Sequence, residues 1–491
     1  MTTVETERQA QTVARTISNT AVLYAMTYAA GAFTLIVSII LARLLEPEHF
    51  GVIALASFYF SLVGRIKDWG FDAALLVRQD DLEAACFTHF VLQVGLSVLC
   101  VGLIGIALPL LSGVLSRETR IALMVLAVTG VAQSATTTFR TVLEKQLKMQ
   151  AMSLLEFFTG LVGAAVAILM AYRGFGLWSL LVRHALQGVL NLVGIAWLCP
   201  WRLTGRWDWK LVRWYFTVYG LPIWLGGWFS LLTYQFDDFL VGTFITVERL
   251  GFYTRAFNLS LLPIGFTWVL TRTITPLYAT MHQSRDELQR VFNMLQAYKA
   301  RIFLPIFVVL FVAADEFIGL LLGAKWLPTA PILRLFVFYG FIRLLFEDCA
   351  SFTTIGMGQP RIFLGVQILQ GLIMLAAGPL LTIHYGAYGA AGAMTLMMLA
   401  GAGYVWWKIG TYIRIELGRI FLRPVLAGLV AGFGGHLVMG SLDAERWVWR
   451  LVAAGVTIVA VYGGILVARE WRELRRDVAF CLSATRVDLR R

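Results

Sequence analysis

Charged residues are scarce in this chain. Only 14% of its 491 residues are Asp, Glu, Lys or Arg, whereas 59% are hydrophobic, and the mean hydropathy is +0.74. Soluble domains contain about 25% charged and about 45–50% apolar residues. The composition therefore excludes an ordinary soluble protein and predicts a polypeptide that crosses a membrane many times.

Cysteine and histidine are also few. Five cysteines and six histidines are scattered along the chain, with no spacing typical of a disulfide framework or a metal site. We therefore expect no metal site and no cofactor.

The net charge of +12 does not indicate a nucleic-acid partner. Nucleic-acid-binding domains concentrate their basic residues on one soluble face, but here these residues lie in short loops between apolar segments. That distribution orients a protein in a membrane. The predicted environment is a lipid bilayer, with both termini in the cytoplasm.

Apolar windows of about twenty residues predict about fourteen transmembrane helices and an all-α polytopic fold. The predicted spans are residues 18–40, 51–76, 85–112, 119–140, 150–171, 176–199, 213–242, 250–277, 300–323, 331–354, 362–383, 387–408, 421–440 and 447–468. They divide the chain into a leader 1–17, an N-terminal lobe 18–199, a linker 200–212, a C-terminal lobe 213–408, two additional helices within 409–468, and a basic tail 469–491. The predicted external loops are short, which leaves no room for a catalytic domain and argues against an enzyme.

A weak internal repeat supports two lobes. The segment Ala42–Tyr59 recurs at a shift of 200 residues, where Glu48 falls on Glu248 and Gly51 on Gly251. Because each lobe has an even number of spans, the lobes are expected to be parallel repeats. Repeats that enclose a substrate site are typical of transporters.

Several charges lie inside the predicted spans, where an unpartnered charge is costly and often functional. Asp237 and Asp238 end the seventh span, and Arg255 begins the eighth. They form either a structural ion pair or a switchable site, in which the carboxylates bind H⁺ or Na⁺ and the guanidinium binds an anionic substrate.

A second group of charges lies nearer the cytoplasmic side. Arg65, Lys67 and Asp68 in the second span, with Arg272 in the eighth, either extend to the interface or line a cationic vestibule. Arg343 lies near the middle of the tenth span, where it either pairs with Glu347 one turn later or binds substrate.

Three stretches carry a resemblance to a known family: LARLLEPEHFGVIALASFY, DWGFDAALL, and the segment from YQFDDFLVG to LLPIGF at 234–266. They resemble bacterial polysaccharide-transporter flippases of the MOP superfamily, in particular the exporters of lipid-linked repeat units of the Wzx and colanic-acid type. The resemblance implies two six-helix lobes around a central cavity, followed by two extra helices. It also implies transport of an undecaprenyl-pyrophosphate-linked oligosaccharide by alternating access, driven by an ion gradient, together with polysaccharide polymerase or export partners. The membrane that it implies is the bacterial cytoplasmic (inner) membrane.

On this reading Arg255, Arg272, Arg65, Lys67 and Arg343 bind the substrate. The ion-coupling residues are then Asp237, Asp238 and Asp68. The predicted first span carries no charge, unlike the basic first helix of lipid II flippases, which argues against a peptidoglycan precursor. The alternatives are a multidrug exporter on the same scaffold, which would use the acidic pair, and a membrane glycosyltransferase or ligase.

Overall fold

The computed structural model describes residues 28–281, 284–346, 349–359, 361–443 and 447–488. The predicted leader and the first ten residues of the first predicted span lie outside these ranges. Within them, every regular element is helical.

The first half of the chain forms long helices joined by short loops. They are α1 (Tyr28–Leu44), α2 (Pro47–Gly64), α3 (Phe71–Val77), α4 (Leu82–Leu110), α5 (Arg117–Lys145), α6 (Met149–Tyr172), α7 (Leu177–Leu198), α8 (Trp209–Trp214), α9 (Leu221–Tyr234) and α10 (Phe236–Phe244), with a π-helix at Tyr215–Gly220 between α8 and α9.

The second half begins within α11 (Val247–Ser260). It continues with α12 (Leu262–Met281), α13 (Arg285–Val312), α14 (Ala314–Leu321), α15 (Thr329–Phe346), α16 (Cys349–Ser351), α17 (Arg361–Tyr412), α18 (Arg423–Gly440) and α19 (Trp447–Asp488). The predicted basic tail therefore begins as a continuation of the last helix.

Local sequence explains several helix boundaries. Pro47 occupies the first turn of α2, where its missing N–H costs no hydrogen bond. The Ser116 hydroxyl accepts a hydrogen bond from the Thr119 backbone N–H at 3.2 Å and so caps α5. Gly386, with φ of 63°, interrupts α17 and divides it into two helices, as expected where two predicted spans meet.

Nine helices in the described ranges are long and apolar enough to cross a membrane. The kinked α17 accounts for two predicted spans, and four other predicted spans coincide with shorter or broken helices: α1, α2 with α3, α8 to α10, and α11 with α12. Fourteen spans are thus consistent with the fold. Many apolar side chains face outward, among them Ile106, Leu429 and Val456, each more than 60% exposed. Large exposed apolar surfaces indicate contact with lipid, and the protein is a multi-pass membrane protein.

The chain forms two compact units, one ending at Gly251 and the other beginning at Phe252. In the first unit, Val37 and Leu41 of α1 pack against Ala164 of α6 and Leu180 of α7. In the second, a buried cluster joins α13, α18 and α19 through Leu304, Ala431 and Ile458. The predicted division at 200–212 remains a prediction, because a boundary between repeats need not coincide with a boundary between compact units.

The repeated segments meet each other. A Cβ atom added to Gly51 would lie 1.8 Å from the Val247 carbonyl oxygen, and one added to Gly251 would lie 2.0 Å from the Pro47 carbonyl oxygen. Pro47 and Val247 are also related by the shift of 200 residues, so the contact is reciprocal. Only glycine permits this close approach of two backbones, which explains why the repeat keeps glycine at both positions.

Candidate functional site

Helix α5 is unusually polar for a transmembrane helix. Between residues 133 and 141 it reads QSATTTFRT. The hydroxyls of Thr136, Thr137 and Thr141 each donate to the carbonyl four residues earlier, at 2.8–3.0 Å. These bonds satisfy hydroxyl groups that would be costly in lipid. The other polar side chains of this stretch, including those of Gln133, Ser134 and Arg140, can therefore form contacts with other helices or line a cavity.

A cavity of about 400 Å³ lies between α5 and α7. All of its lining residues except Gly188 have hydrogen-bonding side chains. They are Gln133, Thr136, Thr137, Arg140, His184, Gln187, Gly188 and Asn191. A cavity of this volume, lined in this way, can bind hydroxyl groups of a polar ligand at membrane depth.

Helix α6 completes the polar surroundings of this cavity. The half-buried Arg140 guanidinium is paired with the Glu156 carboxylate. One turn further along α6, the Thr159 hydroxyl donates to the Asn191 side-chain oxygen at 2.6 Å. Both partners from α6 hold a lining residue in a fixed position, so the cavity is pre-organised.

The break between α2 and α3 brings three predicted residues together. Arg65 pairs with Asp68 at 2.7 Å, and the Lys67 ammonium group donates to the Ser134 hydroxyl of α5 at 2.6 Å. Ser134 follows the cavity residue Gln133 directly in sequence. Ser134 thus connects the predicted cationic group to the helix that lines the cavity.

Asp237 and Asp238 lie at a second helix break. Gln235 has non-helical backbone angles between α9 and α10, and both aspartates fall in the first turn of α10. The partial positive charge of a helix N-terminus favours carboxylates there. Asp237 is buried, with 3% of its surface exposed. This environment supplies a structural reason for the acidic pair, and its ion-coupling role remains a prediction.

The predicted basic residues of the second unit lie on separate helices. The half-buried Arg255 of α11 has its guanidinium carbon 5.9 Å from the centroid of the fully buried Trp326 ring, a cation–π distance. Arg343 is half-buried on α15. Arg272 belongs to α12, and its side chain lies outside the described residues, as does Glu347. The expected pairing of Asp237 and Asp238 with Arg255 remains a prediction.

Two buried ion pairs were not anticipated from the sequence. Arg301 of α13 pairs with Glu470 of α19 at 2.5 Å, with 5% and 1% of the side chains exposed. Arg450 of α19 pairs with Glu316 of α14 at 3.2 Å. These two contacts attach the last helix, α19, to α13 and α14 of the same unit. Each of these four charged residues lies near the end of an apolar segment. At such a position the sequence alone does not show whether a charge forms a buried ion pair or is exposed to water.

Most of the cavity residues on α5 and α7 were also missed; the exception is His184, which the sequence marks as a polar position for packing or cavity lining. Their signal is the run of Gln, Ser and Thr at 133–138, which is conspicuous within an apolar span. Uncharged polar residues attract less notice than charges because their cost in a helix is small when their hydroxyls bond to the backbone.

The architecture is that of the MOP transporter fold. The chain superposes on the lipid II flippase MurJ in an inward closed conformation, with a TM-score of 0.74, over 92% of this chain and 99% of MurJ, at 15% identity. An inward-facing multidrug transporter of the MATE family within the MOP superfamily gives a TM-score of 0.58, over 77% and 94% of the two chains, at 16% identity. At these identities the likeness establishes the fold alone.

The sequence identifies the family. A model described as polysaccharide biosynthesis protein matches residues 40–331, and the chain belongs to this family. It is 25% identical to the teichuronic acid biosynthesis protein TuaB of Bacillus subtilis, over 79% of this chain and 83% of TuaB. It is 21% identical to the succinoglycan biosynthesis transport protein ExoT of Rhizobium meliloti, over 89% and 90%. The predicted resemblance and the predicted fold class are confirmed.

Proposed function

We propose that this protein is a flippase that moves undecaprenyl-pyrophosphate-linked oligosaccharide repeat units across the cytoplasmic membrane for the synthesis of a cell-surface polysaccharide. The family and the relatives named for teichuronic acid and succinoglycan biosynthesis support the substrate class. The MOP fold supports alternating access as the mechanism.

The observation that carries this proposal is the polar cavity between α5 and α7. A neutral oligosaccharide needs many hydrogen-bond donors and acceptors in place of water, and Gln133, Gln187 and Asn191 supply amide groups of both kinds. The polyprenyl chain can remain in lipid while the sugars occupy such a cavity.

The pyrophosphate requires cations. Lys67 contacts Ser134 of α5, and Arg65, two residues earlier, has a guanidinium that can bind two phosphate oxygens at once. We assign Arg255, Arg272 and Arg343 of the second unit to the same task at other stages of the cycle. Arg65 and Lys67 each have further N–H donors beyond those engaged by Asp68 and Ser134, so both can bind phosphate while keeping these partners.

We further assign the driving force to an ion gradient of H⁺ or Na⁺, with Asp68, Asp237 and Asp238 as the ion-binding carboxylates. The proposal includes both termini in the cytoplasm and functional association with a polysaccharide polymerase or export machinery. The concentration of Lys and Arg in the predicted cytoplasmic loops supports this orientation.

A chromosomal deletion tests the function directly. We expect the lipid-linked precursor to accumulate in the inner leaflet and surface polysaccharide to be lost. Restoration by the plasmid-borne wild-type gene is the control for effects on neighbouring genes. Unchanged polysaccharide together with altered drug tolerance would refute the proposal in favour of multidrug export.

Variants then test the site. Gln187→Leu and Asn191→Leu should each lower export about three- to tenfold, because one hydrogen bond contributes about 0.5–1.5 kcal/mol. Val193→Leu is a matched control on the same helix, since Val193 is 62% exposed and faces outward. Normal export in both cavity variants, at normal protein abundance, would remove the sugar-site assignment.

The basic residues are tested in the same strain. Arg255→Ala and Arg272→Ala should abolish export while the protein still reaches the membrane. Arg334→Ala is the control, because Arg334 forms an ion pair with the half-exposed Asp315, and surface pairs contribute little. Export at the wild-type level in both variants would remove these arginines from the substrate site.

A further inference from the structure

A basic pocket lies between the last two helices, α18 and α19. Its volume is about 270 Å³. Arg423 and Arg469 are its basic residues, and Leu426, Val430 and Ile465 form part of its apolar wall. None of these residues lines the cavity between α5 and α7. The pocket therefore combines positive charge with an apolar surface, at a place separate from the proposed sugar site.

Helical spacing places the two kinds of residue at different depths. On α18, Arg423, Leu426 and Val430 follow one another at i, i+3 and i+7 and so lie on one face of the helix. Val430 lies about 10 Å further along the axis than Arg423, because an α-helix rises about 1.5 Å per residue. On α19, Ile465 precedes Arg469 by one turn. Since the two helices run in opposite directions, both arginines lie at the membrane-surface end of the pocket.

The charge of the pocket is positive. Among the described residues that line it, Glu470 is the one acidic residue, and its side chain is only 1% exposed. Its carboxylate is already paired with the buried Arg301 of α13 at 2.5 Å. Arg423 donates to the same carboxylate at 3.5 Å while 48% of its side chain is exposed, and Arg469 is exposed as well. In this described part of α13, α18 and α19, three guanidinium groups thus accompany one carboxylate, an excess of two positive charges.

The apolar wall determines which anion fits. Leu426 and Val430 are 48% and 57% exposed, so the wall next to the arginines is open to the surrounding lipid. Inorganic phosphate would contact the arginines and leave this wall uncovered. An anionic phospholipid uses both parts, because its phosphate accepts from the guanidinium groups and its acyl chain covers the apolar residues. Basic pockets between transmembrane helices are known to bind acidic lipid headgroups.

We propose that an anionic phospholipid binds between α18 and α19, with its phosphate on Arg423 and Arg469 and an acyl chain along Leu426 and Val430. The bound lipid bridges the two helices at the membrane surface where α18 begins, which the proposed orientation places at the cytoplasm. The transported lipid is a poorer occupant. Apart from the two arginines and Glu470, the described lining residues are apolar and offer no side-chain hydrogen bond to its sugars.

Native mass spectrometry of the full-length protein in detergent measures the binding. The protein is titrated with dioleoylphosphatidylglycerol, which is anionic, and separately with dioleoylphosphatidylcholine, which has no net charge. We expect the first phosphatidylglycerol to bind about tenfold more tightly than the first phosphatidylcholine, because the pocket has excess positive charge. This comparison uses wild type, so it does not depend on the folding of any variant. Equal affinities would overturn the proposal.

The double variant Arg423→Gln with Arg469→Gln tests the assigned residues. Each basic side chain at a membrane surface strengthens the attraction for anionic lipid about fivefold, so this variant should bind phosphatidylglycerol about 25-fold more weakly. Arg361→Gln with Arg414→Gln is the matched control. Arg361 begins the kinked α17 and Arg414 follows its end, so both lie at the same membrane surface; both are exposed, and neither lines the pocket. Equal binding by the double variant and its control would refute the site.

Melting temperatures separate lost binding from lost folding. Arg301 still pairs with Glu470 in the double variant, so this variant should melt close to wild type in lipid-free detergent. Phosphatidylglycerol at about a hundred times its wild-type Kd should raise the melting temperature of wild type by about 5–11 °C. The same concentration should raise that of the double variant by only about 2–4 °C. A rise of equal size in both proteins would contradict the proposal.

Two competitors identify the occupant. Glycerol phosphate carries the phosphate without acyl chains, and undecaprenyl pyrophosphate carries the anchor of the transported lipid. At equal concentration, neither should displace phosphatidylglycerol from wild type. Displacement by glycerol phosphate would assign the pocket to a water-soluble phosphate, and displacement by undecaprenyl pyrophosphate would assign it to the transported lipid; either result overturns the phospholipid site. Because none of these measurements involves transport, failure of the proposed flippase function would leave their outcome unchanged.

Discussion

Glu470 offers the sharpest test of how the last helix is held. Its carboxylate forms an ion pair with Arg301 at 2.5 Å and accepts a hydrogen bond from Arg423 at 3.5 Å. Glu470 and Arg301 are almost completely buried, with 1% and 5% of their side chains exposed. The perturbation is Glu470→Gln, which removes one charge while retaining the size of the side chain.

The magnitude follows from the burial. Removing one partner of a buried ion pair costs about 3–5 kcal/mol, because the other charge is left uncompensated. We expect about 3 kcal/mol for Glu470→Gln, since the amide oxygen can still accept a hydrogen bond from Arg301. For a cooperative unit of about 150–250 residues, each kcal/mol shifts the melting temperature by about 2–4 °C. The expected decrease is therefore about 6–12 °C.

Tryptophan fluorescence of the detergent-purified protein during heating measures this shift, since the chain contains 16 tryptophans. Glu416→Gln is the matched control: Glu416 pairs with Arg419 at 3.3 Å, but 47% of its side chain is exposed. A surface pair contributes about 0–1 kcal/mol, so this variant should melt close to wild type.

A double variant completes the test. Replacing both partners, as Arg301→Leu with Glu470→Leu, should recover most of the lost stability, because apolar side chains of similar volume remove the uncompensated charge. If Glu470→Gln melts with its control, or if the double variant is less stable than the single one, the reasoning from burial is refuted.

Two further predictions concern the repeat and the cation–π contact. Gly51→Ala and Gly251→Ala should each sharply reduce the amount of folded protein, because the added Cβ atom would lie within 2.0 Å of a carbonyl oxygen. Gly95→Ala on α4 is the control: no atom lies within 4 Å of its added Cβ, so this variant should be neutral or slightly stabilising. Fluorescence-detected size-exclusion chromatography compares the three variants, and normal elution of both Gly51→Ala and Gly251→Ala would contradict the close approach. Arg255→Lys should lower export several-fold, because lysine keeps the charge but lacks the planar group that binds phosphate. The melting temperature should stay within about 2 °C of wild type. A large loss of stability would instead show that Arg255 serves to pack on Trp326.

Much of the candidate site could not be predicted from the sequence. The charges at 65–68 and the acidic pair were recognised because a charge within an apolar segment is visible in any window of residues, whereas the break between α2 and α3 inside the predicted span 51–76 was not. The uncharged residues of the cavity were missed, because Gln187 and Asn191 acquire their role only when α7 lies beside α5. Sequence reasoning also placed Arg255 correctly on its helix, but it did not anticipate Trp326 as its neighbour.

The sequence by itself determined the environment and the class of fold. Apolar runs of sufficient length indicate where lipid surrounds the chain, and the similarity of two segments 200 residues apart indicates a duplicated unit. Both signals can be read from the residues of the segments themselves, without knowledge of their neighbours in space. Which polar side chains meet was decided only by tertiary structure. Lys67 reaches Ser134, His89 reaches Thr138, and Arg301 reaches Glu470 across helices distant in sequence. Such partners are brought together by the packing of whole helices, and that packing depends on many weak contacts at once. No spacing or pattern in the sequence marks the residues that will meet.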